Sequence, residues 1–116
     1  MEYTTCKKDV FELVANATEE MGYGVHLIDK RVEDLNKICE YIDVLNDDFE
    51  YDQVDVSVDI GKRQVQIDII CFDMIMDNGR SSRFFDIMSL ASSFAFTNVN
   101  GENIRLSIYV DGVWGD

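Results

Sequence analysis

From residue 54 to residue 68 the chain reads "VDVSVDIGKRQVQID", its apolar residues alternating with Asp, Ser and Gln on either side of a short interruption. A period of two marks strands with one dry face, because successive side chains point to opposite sides of the pleat. The stretch therefore predicts a hairpin. With Gly61 first in a two-residue type II′ turn over Gly61 and Lys62, Ile60 pairs with Arg63 and the register follows. Val58 faces Val65, Val56 faces Ile67 and Val54 faces Ile69. Opposed residues share a face, so Asp59 with Gln64, Ser57 with Gln66 and Asp55 with Asp68 make up the wet side.

Helical spacing dominates elsewhere. Over residues 5–21, Val10, Val14, Ala17 and Met21 form one stripe with Phe11 and Leu13 beside it, and Gly22 follows as a stop. Asp29 can cap a second helix in which Val32, Leu35, Cys39, Ile42 and Leu45 recur, with Glu33 four residues before Lys37. "DNGRS" at 77–81 reads as turn, and Ser81 or Ser82 can cap a third helix over "RFFDIMSLASSFAF", with Phe84, Ile87, Met88, Ala91, Phe94 and Ala95 on its apolar side. "NVNGEN", 98–103, is a loop. "YGVHLI" at 23–28 and "IRLSIYV" at 104–110 read as strands, the second alternating Ile104, Leu106, Ile108 and Val110 with Arg105, Ser107 and Tyr109.

From residue 23 the order is strand, helix, strand, strand, helix, strand. This is the split βαβ, or ferredoxin-like, order of an α+β domain: a four-stranded antiparallel sheet with two helices on one face, here preceded by an additional N-terminal helix. One domain over 1–116 is expected, with a βαββαβ core at 23–110 and a short tail at 111–116. The uncovered face of that sheet would collect His26 or its neighbours, Asp55, Ser57, Asp59, Gln66, Asp68, Arg105, Ser107 and Tyr109.

Charge changes this picture most. Asp plus Glu number 23 against 10 Lys plus Arg, a formal net charge of −13. Such a field repels phosphate backbones and anionic membranes and attracts basic protein surfaces, so no direct nucleic-acid or membrane contact is expected. There is no run of 18 apolar residues and the opening "MEYTTCKKDVFEL" has no signal-peptide pattern, which makes the cytoplasm the default location.

Candidate chemistry is sparse. Cys6, Cys39 and Cys71 lie more than thirty residues apart, a spacing that fits neither a zinc knuckle nor a disulfide scaffold, and they read as free thiols. Cys6 sits beside Lys7 and Lys8 near a helix start, where a thiol can be activated, but no histidine or CxxC partner accompanies it. His26 is the single histidine; it can act as a base beside an aspartate, yet in an apolar strand it reads as structural. Asp55 opposite Asp68 is an unfavourable like-charge pair, relieved by water, by a cation or by a basic partner. "MGYGV", "VNGEN" and "GRSSRF" lack the spacing of a phosphate loop. No catalytic residue, metal ligand or cofactor is assigned.

The leading expectation is a small acidic, non-enzymatic regulatory or adaptor protein that binds a partner with a basic surface. Asp55, Asp59 and Asp68 would supply charge, and Tyr109, Trp114, Phe72 and the first helix would supply apolar contact. A sharper version is a mimic of nucleic-acid charge that inhibits a nuclease or a nucleic-acid-binding protein. A different class is a small ligand-binding or catalytic domain using the open sheet face near His26. A homodimer is compatible with the first reading; Asp-plated faces repel, which leaves the helices or the C-terminal "VWG" as contacts.

Overall fold

The computed structural model describes residues 6–49, 53–71, 78–100 and 103–116. Helix α1 is Cys6–Met21, followed by the two-residue β1 at His26–Leu27 and by α2 at Asp29–Phe49. Strands β2 (Gln53–Asp59) and β3 (Gln64–Cys71) precede α3 at Asn78–Leu90, and β4 (Ser93–Asn100), β5 (Asn103–Val110) and β6 (Trp114–Gly115) complete the order.

The layers are those of the expected ferredoxin-like arrangement, an α+β fold with a four-stranded antiparallel sheet flanked by helices and an extra N-terminal helix. The strands that build the sheet differ from expectation. Its order is β2-β3-β5-β4, and β1 leaves it to pair with β6 in a separate two-stranded ladder, His26 opposite Gly115 and Leu27 opposite Trp114. Two local causes shorten β1. Gly22 and Gly24 both adopt positive φ, 87° and 86°, so the chain is still turning until residue 25. The Ile28 carbonyl already accepts the Val32 amide at 2.9 Å, so helix α2 begins directly afterwards.

The fourth strand is β4 instead, which lies outside β5 at the edge of the sheet. The predicted third helix ends at Leu90 instead of continuing through Phe96, and "SFAFTNVN" pairs with β5, Phe94 opposite Ile108 and Phe96 opposite Leu106. Helix α3 also begins at Asn78, within the predicted turn, and Asn98, Asn100 and Asn103 of the predicted loop belong to strands. Asp77 and residues 101–102 lie outside the described residues.

The hairpin register agrees with the sequence pattern at every predicted core pair, although the turn is different. A four-residue loop, Ile60–Arg63, closes on an Arg63 N–H donating to the Ile60 carbonyl at 3.3 Å, and Arg63 rather than Gly61 takes positive φ, at 52°. Four-residue and two-residue loops around the same centre leave the flanking pairs unchanged. Val56 opposite Ile67 and Asp55 opposite Asp68 follow.

One core joins sheet and helices. Val65, Ile67 and Ile69 of β3, with Leu106, Ile108 and Val110 of β5, pack with Val10, Val14 and Ala17 of α1, Leu35, Ile38 and Ile42 of α2, and Phe84 and Ile87 of α3. These strand residues share one face of the sheet, so all three helices lie on that side; among the described residues no helix lies on the Asp-bearing face, where Ile70 and Ser107 are nonetheless buried.

Arg31 ties the ends of several elements together. Its guanidinium donates to the carbonyls of Asp111 (2.9 Å) and Leu90 (3.2 Å), to Asp34 Oδ2 (2.9 Å) and to Ser92 Oγ (3.0 Å). The Leu90 carbonyl ends α3, so the cation also sits where the helix dipole favours it.

Candidate functional site

The open face is read row by row from the pairing. One row runs Asp55, Asp68, Ser107 and Ala95; the next runs Ser57, Gln66, Tyr109 and Ser93. Asp59 stands opposite Gln64 at one end, and Ile70, Arg105 and Thr97 form the row at the other. Acid is concentrated on β2 and β3. Among the described residues, Arg105 is the basic side chain that the four strands place on this face, diagonal to Asp68.

The aspartates have distinct surroundings. Asp68 is half-buried and accepts from Gln66 Nε2 through both carboxylate oxygens, each at 3.1 Å. Asp59 is exposed and accepts the Lys62 backbone N–H at 3.1 Å, which closes the hairpin loop. Asp55 is exposed at the centre of the outer strand. Arg105 lies half-buried, and its Nε is enclosed with no hydrogen-bond partner among the described residues. Tyr109 is half-buried beside Gln66 and Ser93.

A cleft of about 410 Å³ opens where α1 meets β2. Its walls are Asp9, Glu12, Leu13 and Asn16 from α1 and Val54, Asp55 and Val56 from β2. Asp9, Glu12 and Asn16 recur at spacings of three and four on one side of α1, which brings two carboxylates over the β2 edge. The cleft is thus acidic at its rim, with Leu13, Val54 and Val56 as apolar contacts. It extends the charge of the open face around the edge of the sheet.

Two expected members are elsewhere. Trp114 is a core residue at 5% exposure; its indole N–H donates to Thr18 Oγ1 at 2.8 Å, and Thr18 donates in turn to the Val14 carbonyl at 2.7 Å. With Val113 also buried, the "VWG" segment offers no exposed apolar contact to a second copy. His26 is exposed on β1, outside the four-stranded sheet, so it does not join Asp55 and Asp68. Phe72 lies outside the described residues.

The thiols of Cys6 and Cys39 meet inside the core. A hydrogen bond to Cys39 and burial both push the Cys6 thiol far above its ordinary value of 9.0. Asp43, one turn beyond Cys39, accepts the backbone N–H groups of Cys6 (2.9 Å) and Lys7 (3.4 Å) and caps α1 from the neighbouring helix. The lysines beside Cys6 in sequence therefore do not set its chemistry. Its buried neighbours do.

Sequence reasoning missed Asp9 and Glu12. Their signal, acids flanking an apolar stripe, is shared by most surface helices; only the docking of α1 against β2 turns it into a cleft wall. Among the described residues no group of three or more His, Cys, Asp or Glu side chains is placed to hold a metal ion, and no helix is long and apolar enough to cross a membrane. Comparison with known proteins finds no matching family model, no similar curated protein and no similar solved structure.

Proposed function

We propose that this protein is a small acidic, non-enzymatic regulatory or adaptor module that binds a basic segment of a partner protein. The observation that carries the reading is the cleft between α1 and β2, where the carboxylates of Asp9, Glu12 and Asp55 rim apolar side chains on an outer strand. Lys and Arg are the side chains this arrangement suits, because their charged heads meet carboxylates while their methylene stems lie on Leu13, Val54 and Val56. The net charge of −13 steers such a partner, and burial of the apolar contacts slows its release. Asp68 and Asp59 extend the attraction along the open face.

The test is capture of partners from lysate of the source organism, with a charge-matched acidic protein as control, followed by titration of the captured protein. The expected result is a basic protein retained at moderate salt, its affinity reduced at least about tenfold by the double reversal Asp55→Lys/Asp68→Lys, the equivalent of about 1.4 kcal/mol. Capture of nothing beyond the control, or an affinity indifferent to the reversal, contradicts the reading. A partner that itself binds DNA or RNA through the same basic segment would narrow it to mimicry of nucleic-acid charge.

A further inference from the structure

The sheet has two outer strands, and they are treated differently. β2 carries Asp55 and Asp59 and is flanked by α1. Charged residues on an edge are a common guard against pairing with another chain. β4, the opposite outer strand, has none: residues 87–101 contain no charged side chain, the longest such run in a chain with 23 acidic and 10 basic residues. It is also apolar at its surface. Phe94 and Phe96 point to the helix-bearing side by register, yet they remain 47% and 51% exposed, their rings meeting edge-on at 6.2 Å. Phe85 of α3, on the same side, is 69% exposed.

We infer that β4 is a self-association edge, on which a second copy of this chain pairs antiparallel, β4 to β4, to continue the sheet across a two-fold axis. Two features select a second copy over another occupant. Two molecules that each carry −13 repel over most approaches, and the run at 87–101 is where they meet without charge. A basic partner finds no counter-charge there. The strand is also self-complementary: an axis at Ala95 sets Phe94 of each copy opposite Phe96 of the other, so four rings gather on the helix side, while Ala95 meets Ala95 and Ser93 meets Thr97 on the open side. The two exposed rings of β4 offer about 200 Å² per copy, given about 200 Å² for a whole aromatic side chain. With the strand edge added, the contact has the size of a weak, transient pair.

Sedimentation velocity of the full chain, from micromolar to millimolar concentration and at low and high salt, tests this. The expected result is a monomer–dimer equilibrium that tightens as salt rises, because screening removes repulsion and no ion pair is lost. Ala95→Lys puts like charges opposite each other at the axis, on an exposed position in the row of Asp68, and should weaken the dimer at least tenfold with the circular dichroism of the fold unchanged. Ala95→Ser should leave the dimer intact. A monomer throughout the concentration range overturns the inference, as does a dimer that survives Ala95→Lys unchanged.

Discussion

At the scale of single residues, a few polar side chains tie the elements together. Arg31 serves four acceptors around the ends of α2, α3, β4 and β5, and two of these are backbone carbonyls that a shorter cation does not reach in the same fork. Arg31→Ala is expected to lower stability by about 2 kcal/mol, the scale of losing one or two hydrogen bonds to a charged group, and Arg31→Lys should recover less than half of it. Chemical denaturation measures both. Thr18→Val removes the acceptor of the Trp114 indole inside the core and should cost about 1–3 kcal/mol, the penalty for an unsatisfied buried donor. The Cys6 thiol, held above its ordinary value by its bond to Cys39 and by burial, binds its proton more tightly in the folded chain than in the unfolded one. Its contribution is fully present below the ordinary value of 9.0 and is lost as pH rises beyond it. Denaturation midpoints should therefore fall above pH 9 more steeply for the native sequence than for Cys6→Ala. Equal slopes would show that the thiol pair has no such role.

At the scale of elements, strict alternation was the most legible signal and mixed spacing the least. The β2–β3 pairing follows from the period of two because a one-residue slip would turn every valine and isoleucine toward water. Helices α1 and α2 follow from stripes that the core confirms at Val10, Val14, Leu35, Cys39 and Ile42. β4 was hidden because Ala91, Phe94 and Ala95 continue a helical spacing from Ile87, while Phe94, Ala95, Phe96 and Thr97 satisfy alternation equally well. The outer edge of β5 decides between them: an unpaired row of backbone groups there is relieved by a strand and not by a helix. The cap of α1 was equally out of reach, since Asp43 is distant in sequence and arrives only through helix packing. Asp43→Ala should cost about 1 kcal/mol and speed hydrogen exchange at the first turn of α1, the usual consequence of losing an N-terminal cap. Exchange unchanged in that turn would mean the cap is dispensable.

At the scale of the whole molecule, the proposed function rests on charge. The acidic face was visible in the sequence through Asp55, Asp59 and Asp68, whereas the cleft depended on where α1 came to rest. With −13 on 116 residues, added salt should raise the denaturation midpoint of the isolated protein by screening self-repulsion, and should weaken its hold on the proposed basic partner. The two responses have opposite signs in one buffer series, which separates recognition from folding. The most direct test of the account is calorimetric titration of the captured partner into the native protein and into Asp9→Lys/Glu12→Lys, at low and moderate salt. The account predicts binding that weakens with salt and drops at least about tenfold in the variant, because the cleft wall on α1 has reversed its sign. Equal affinity for the two proteins would contradict it and place recognition away from the cleft.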